Sequence, residues 1–185
     1  MTMSVINSIV ATKFTVNDRS YKLKNKPIAV LCLDGCSNEY LDASLVKNCI
    51  PNIAKMLCHG YRGTARGALP SFTNVNNASI VTGLPPSGHG ISGNFFLDPN
   101  TGKEVMMNSA VYLRASTILA SAAKAGRKVA MVTAKEKLRD MLSHELNGIR
   151  ISAEKANAAR LSTHGIEKVE QFVGYPTPEI YSAEA

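Results

Sequence analysis

The sequence predicts an α/β protein with a mainly parallel sheet flanked by helices. Two apolar runs carry that prediction. Ile28-Ala29-Val30-Leu31-Cys32-Leu33 is apolar at every position, as a strand buried on both faces should be, and it stops at Asp34-Gly35. Val129-Ala130-Met131-Val132 repeats the pattern within Lys128 to Thr133, after an alanine-rich stretch from Thr117 to Lys124 that Gly126 closes. Strand-like and helix-like segments alternate throughout, with neither an internal repeat nor a flexible linker.

The elements follow in chain order. Phe14 to Leu23 holds two short β-prone pieces around Asn17-Asp18, which predicts a hairpin. After the first apolar strand, Pro51 to Cys58 predicts a helix, with proline suited to the first position and Gly60 to the stop. Tyr61 to Leu69 reads as a further strand. Thr73 to Val81 reads as a helix closed by Gly83 and Pro85-Pro86, and Ser87 to Asn94 as a glycine-rich loop. Phe95 to Asp98 and Glu104 to Met107 flank Pro99-Asn100-Thr101-Gly102 as a second hairpin. Glu136 to Leu142 and Ala153 to Leu161 read as helices.

Composition narrows the function classes. The 185 residues suffice for one sizeable core. An apolar share of 45% and a charged share of 19% argue against a disordered chain. A formal charge of +7 raises nucleic acid as a partner, but the basic residues are scattered. Lys22, Lys24 and Lys26 form the one local cluster, without aromatic interleaving or zinc-finger spacing, so no nucleic-acid partner is expected. A positive field equally attracts a small anionic substrate. No apolar run approaches the roughly 20 residues of a membrane helix. The N-terminus lacks the basic and apolar regions of a signal peptide, so a cytoplasmic location without membrane association is expected. Cys32, Cys36, Cys49 and Cys58 lack paired CxxC spacing and read as free thiols, with Cys32 in the core. The last residues do not fade into polar low-complexity sequence, which predicts a chain cut within a domain.

Four places have residues suited to chemistry. Asp34 follows directly on the first apolar strand, where ligands gather in α/β sheets and where an oxygen donor suits a metal ion. Its plain alternative is a turn cap beside Gly35. Thr73 stands at the start of a helix, where a hydroxyl meets backbone N–H groups and the positive end of the dipole, a setting for a phosphoryl group. The ordinary role of such a threonine is an N-cap. Ser87-Gly88-His89-Gly90-Ile91-Ser92-Gly93-Asn94 lets the backbone pass close to a site and offers the Asn94 amide to a developing oxyanion. Otherwise it is a surface turn with an uninvolved His89. Lys135-Glu136-Lys137, just after the second apolar strand, could clamp a carboxylate or phosphate, or simply be a solvated face.

These segments occur in an order that resembles a known family. The order is L-D-G-C at the strand end, L-P-S-F-T-N-V-N-N around Thr73, S-I-V-T-G-L-P-P, G-H-G-I-S-G-N and V-T-A-K-E-K. Together they are similar to the nucleotide pyrophosphatase/phosphodiesterase branch of the alkaline phosphatase superfamily. The N-terminal F-T-V-N-D-R-S-Y and the K-E-K narrow the resemblance to the phosphonoacetate hydrolases.

The resemblance implies an alkaline phosphatase-like core, incomplete in this chain, with residues 1–185 forming the N-terminal part of one catalytic domain. Residues after about 142 would begin a cap or peripheral segment. It implies two divalent metal ions, typically zinc, with Asp34 and Thr73 as metal ligands and Thr73 as the nucleophile. It implies that Asn94 contacts a phosphonate oxygen, that Lys135 and Lys137 bind the substrate carboxylate, and that the protein is a homodimer. The implied reaction hydrolyses phosphonoacetate to acetate and phosphate through a phospho-threonine. The remaining Asp and His ligands are matched by no segment here, so a complete two-metal site, and turnover by these residues alone, are not expected. The alternatives are a phosphodiesterase or nucleotide pyrophosphatase using the same Thr73 and Asp34, and an inactive fragment or polyanion-binding module.

Overall fold

A computed structural model describes residues 13–177 of the chain, which fall into two compact units. The larger comprises residues 13–25 and 68–177; the smaller is Lys26–Gly67.

The larger unit opens with the predicted hairpin, β1 (Lys13–Val16) and β2 (Arg19–Lys22), paired antiparallel with Phe14 opposite Tyr21. Asn17 and Asp18 both take positive φ, 48° and 61°, as a two-residue hairpin turn requires. Next come α3 (Thr73–Thr82), a single turn α4 (Pro86–His89), and the second predicted hairpin, β3 (Phe95–Leu97) with β4 (Glu104–Met106). Two earlier helices, α1 (Asn38–Val46) and α2 (Pro51–His59), belong to the smaller unit. The next helix, α5 (Ile118–Lys124), is capped by Thr117, whose buried hydroxyl accepts from Ala120 N at 3.0 Å. After it, β5 (Ala130–Thr133) and β6 (Ile149–Ser152) pair in parallel around α6 (Glu136–Leu142), with Ala130 opposite Ile149 and Thr133 opposite Ser152. Two short helices, α7 (Leu161–His164) and α8 (Glu170–Val173), follow.

One apolar core joins these pieces. Val75 and Ala78 from α3, Ile91 from the glycine-rich loop, Met107, Leu113, Met131 from β5, and Met141, Leu142 and Leu146 at the end of α6 pack as a single buried cluster. Phe96 and Tyr112 stand edge-to-face at 5.3 Å beside it.

The smaller unit holds α1 (Asn38–Val46), which the sequence reading leaves out, and the predicted α2 (Pro51–His59). Arg62 ties its segment to α1 through Asp42 Oδ1 at 2.6 Å and Asn38 Oδ1 at 2.8 Å.

Several expectations need correction. The described residues form three two-stranded sheets, of which one is parallel, rather than a mainly parallel sheet. Ile28 to Leu33 form no strand, and Val30 is 81% exposed. A strand apolar on both faces needs neighbours on both edges, and among the described residues none pairs with it. Cys32 is accordingly exposed rather than core. Tyr61 to Leu69 is likewise irregular, and exposed except for the half-buried Ala68. In β5 only Met131 is buried, because α6 covers one face of the β5–β6 pair while Val132, on the other, is 64% exposed. The helix expected from Ala153 fails because Ala153 and Glu154 continue the ladder, their N–H groups donating to Thr133 O at 2.8 Å and Ala134 O at 3.0 Å. A 3-10 turn at Ala156–Ala158 precedes α7 instead. No helix among the described residues is long and apolar enough to cross a membrane.

Met141, fully buried on the inner face of α6, tests the core. Met141→Ala is expected to cost about 2–5 kcal/mol, read as a lower urea midpoint with an unchanged denaturant slope.

Candidate active site

Thr73 is the first residue of α3. Phe72, with φ −96° and ψ 150°, occupies the cap position and supplies no side-chain cap, so Thr73 lies inside the helix instead of capping it. It is half-buried, and Asn77 Nδ2 donates to its carbonyl at 3.0 Å.

The next residue fixes where that helix start lies. Asn74 is 4% exposed and its Nδ2 donates to Met107 O at 3.0 Å. Met107 N in turn donates to Asn94 O at 2.8 Å. Thr73 and Asn94 are thus held in one locality by two hydrogen bonds that share Met107. Further along α3, Ser79 Oγ meets His89 Nε2 at 2.9 Å, while His89 Nδ1 accepts from Ile91 N at 3.1 Å. The Ile91 N–H requires an acceptor at Nδ1, so the neutral tautomer with the proton on Nε2 fits, and Nε2 donates to Ser79. At the far end, Asn17 Nδ2 from the first hairpin turn donates to Thr82 O and to Ser116 O, both at 2.8 Å.

His89 is therefore fully buried rather than on a surface turn. Gly90 has φ 87°, and a Cβ there would sit 2.9 Å from Tyr112 O and 3.0 Å from the Arg114 side chain. The close approach that this glycine permits is to the 112–114 segment, where Arg114 N donates to His89 O at 3.0 Å.

Lys135 and Lys137 stand at the start of α6, beyond β5, and both are exposed. Among the described residues neither ammonium takes part in an ion pair. The acid between them is engaged elsewhere. Glu136 Oε1 receives Arg139 Nε and Nη2 at 2.7 Å, and Oε2 receives the Ser152 hydroxyl at 2.6 Å. Burial pushes the Glu136 carboxyl up, but the hydrogen bonds from Arg139 and Ser152 and the charges of Arg139 and His164 outweigh it, holding the group below its usual range. Glu154 Oε2 accepts Glu136 N at 2.7 Å and so caps α6 from the neighbouring strand.

Thr73, Asn94, Lys135 and Lys137 all belong to the larger unit, whereas Asp34 belongs to the smaller one. The oxygen donors of Asp34 and Thr73 suit a divalent cation. Two donors do not complete a coordination shell, and among the described residues no group of three or more His, Cys, Asp or Glu side chains gathers as a metal site. An Asp-x-x-x-His spacing does occur at Asp140 and His144, outside the candidates above. The Asp140 carboxylate instead accepts Ala110 N at 3.0 Å and Ser109 Oγ at 3.5 Å. None of these residues lines the open cavity of about 380 Å³ formed by Glu145, Asn147, Arg150, Leu161 and Gly165 among others.

Comparison with known proteins places these features in a family. Residues 28–172 match the family described as type I phosphodiesterase / nucleotide pyrophosphatase. The chain is similar to the phosphonoacetate hydrolase of Sinorhizobium meliloti 1021 in complex with phosphonoacetate, at 42% identity and a TM-score of 0.82, over 93% of this chain and 43% of that one. The same enzyme in complex with phosphonoformate gives 43% identity over the same shares. The fold is thus that of a phosphonoacetate hydrolase over the part compared. An ectonucleotide pyrophosphatase/phosphodiesterase of Caenorhabditis elegans is 36% identical over 80 residues, which are 43% of this chain and 10% of that protein. Family member 3 of the same group from Bos taurus is 36% identical over 84 residues. The chain spans less than half the length of the solved relatives and about a tenth of the worm protein.

His89 yields a pH test. Burial lowers its pKa from the ordinary 6.5, so the unfolded chain binds a proton that the folded chain resists. The stability that depends on neutral His89 is full above the unfolded pKa of about 6.5 and is lost as pH falls below it. The urea midpoint is expected to drop between pH 7.5 and 5.5, and His89→Gln to flatten that drop; equal slopes in both proteins would contradict it.

Proposed function

The chain belongs to the type I phosphodiesterase / nucleotide pyrophosphatase family, and from that premise we propose that it carries the nucleophile and the carboxylate clamp of a metal-dependent hydrolase that splits the carbon–phosphorus bond of phosphonoacetate. The observation that carries this reading is the pair of exposed, unneutralised ammonium groups of Lys135 and Lys137, in the same compact unit as Thr73 and Asn94. The similarity to an enzyme solved with phosphonoacetate and phosphonoformate, both carboxylate-bearing phosphonates, supports it.

In this reading the Thr73 hydroxyl attacks phosphorus and the bond from phosphorus to the methylene carbon breaks. The electron pair of that bond goes to the carbon, which takes up a proton and leaves as acetate. Water then releases phosphate from the phospho-threonine. Two steps replace one difficult displacement. The Asn94 side-chain amide donates to a phosphonate oxygen and favours the negative charge that develops there. Lys135 and Lys137 bind the substrate carboxylate and stabilise the enolate-like charge as the bond to carbon breaks. Asp34 and Thr73 would supply ligands to divalent cations, two by resemblance and zinc in type, which when bound provide Lewis-acid stabilisation of the phosphoryl oxygens. Thr73 begins a helix whose dipole and backbone N–H groups favour an anion beside it.

The same Thr73 and Asp34 serve the phosphodiesterase reading, which the family match and the ectonucleotide relatives support. The lysine pair discriminates, because a phosphate diester carries no carboxylate for it.

The test uses the complete protein. Thr73→Ala is expected to lower kcat on phosphonoacetate and on a nitrophenyl phosphate ester alike, by roughly 1000-fold or more. Lys135→Ala with Lys137→Ala is expected to lower kcat/KM for phosphonoacetate by about 100-fold, as loss of two charge-assisted contacts implies, with far less effect on the ester. Equal losses on both substrates would speak for the phosphodiesterase.

A further inference from the structure

Lys135-Glu136-Lys137 sets a carboxylate between the two ammonium groups assigned to an anionic substrate. A second acid, Glu154, is brought to the same helix start by the continuation of β6. Two carboxylates beside two ammonium groups would cancel their charge and leave little to attract a third carboxylate. Yet among the described residues neither lysine is in an ion pair.

The reason lies in what holds the acids. Both oxygens of Glu136 are occupied, Oε1 by the Arg139 guanidinium at 2.7 Å and Oε2 by the Ser152 hydroxyl at 2.6 Å. Ser152 is 1% exposed and stands opposite Thr133 in the parallel pair, so it presents its hydroxyl from a fixed backbone position. Arg139 lies three residues along α6, the spacing at which side chains on a helix meet. Glu154 is taken by the backbone N–H of Glu136.

We propose that Arg139 and Ser152 are positioning residues for substrate choice: they fix the Glu136 charge on themselves, so that a carboxylate-bearing substrate meets Lys135 and Lys137 unneutralised. This deepens the reading given under Proposed function and rests on it. An ordinary ion pair that merely steadies α6 would have a different signature, because its loss would act through stability and not through the choice of substrate.

The experiment compares four variants of the complete protein, Arg139→Gln, Ser152→Ala, Glu136→Gln, and Glu136→Gln combined with Arg139→Gln. Releasing Glu136 is expected to raise KM for phosphonoacetate about fivefold at low salt, and less at high salt. KM for a nitrophenyl phosphate ester is expected to stay within about twofold, since that ester offers the lysines no carboxylate. The double variant has the parent's net charge and no Glu136 carboxylate, and its KM for phosphonoacetate is expected to return to the parent value. A merely structural pair predicts the opposite, a double variant no better than Arg139→Gln. An unchanged KM in Arg139→Gln, or failure of Glu136→Gln to rescue it, overturns the proposal. If Arg139→Gln does not fold, Ser152→Ala with and without Glu136→Gln makes the same comparison. If Lys135→Ala with Lys137→Ala leaves phosphonoacetate KM unchanged, the reading of the lysines has failed instead, and that outcome is separate from the other two.

Discussion

The buried polar pinning of α3 is the constraint on which the candidate site depends. A helix packed by Val75 and Ala78 alone would be free to slide, because apolar contact has no direction. Hydrogen bonds supply the direction. Asn74 fixes the first turn to Met107, Ser79 fixes the middle to His89, and Asn17 fixes the last carbonyl, that of Thr82, from the hairpin turn. Each of these bonds contributes modestly, but a buried partner left unsatisfied costs about 1–3 kcal/mol. The arrangement therefore penalises displacement more than it rewards folding. That suits the nucleophile proposed at the helix start, since small misplacements of a reacting group are costly to rate.

A second constraint is electrical and concerns the start of α6. The α6 start is crowded with charge, yet its acids and its lysines do not collapse on one another. A parallel strand pair places Ser152 and Glu154 beside the loop after β5, and a helix turn places Arg139 beside Glu136. Packing geometry thus decides which charges are spent within the protein and which face solvent. Packing joins α3 and α6 through one core, with Val75 and Met141 in the same cluster. The helix that begins at Thr73 and the helix that follows Lys135 thus share one packed core.

Local signals in the sequence were enough for the elements that close on themselves. The Asn17-Asp18 turn, the Pro99 to Gly102 turn and Pro51 at a helix start each act through residues a few positions apart. Signals that depend on distant partners were not enough. An apolar run predicts burial, but Ile28 to Leu33 has no ladder partner among the described residues and stays exposed. The alanine-containing stretch from Ala153 reads as helix by propensity, and the β5 ladder overrides it. At the candidate site, Thr73, Asn94 and the lysines were singled out as candidates by a spaced motif. Asn74, Arg139, Ser152 and Glu154 were not, since nothing in the spacing of an asparagine, an arginine, a serine or a glutamate tells which distant group it will meet.

That asymmetry bears on how substrate choice arises within one family. The family match over residues 28–172 takes in both the segment around Thr73 and the lysine pair, which lie on separate elements of the fold. Under the proposed reading, the charges that distinguish substrates lie about 60 residues from Thr73, on another helix, and their availability depends on the fate of one intervening carboxylate. On that reading, a single change at Ser152 or Arg139 alters the field at the lysines without touching Thr73 or its helix. Selection can therefore act on the leaving-group side while the buried bonds that aim α3 stay fixed.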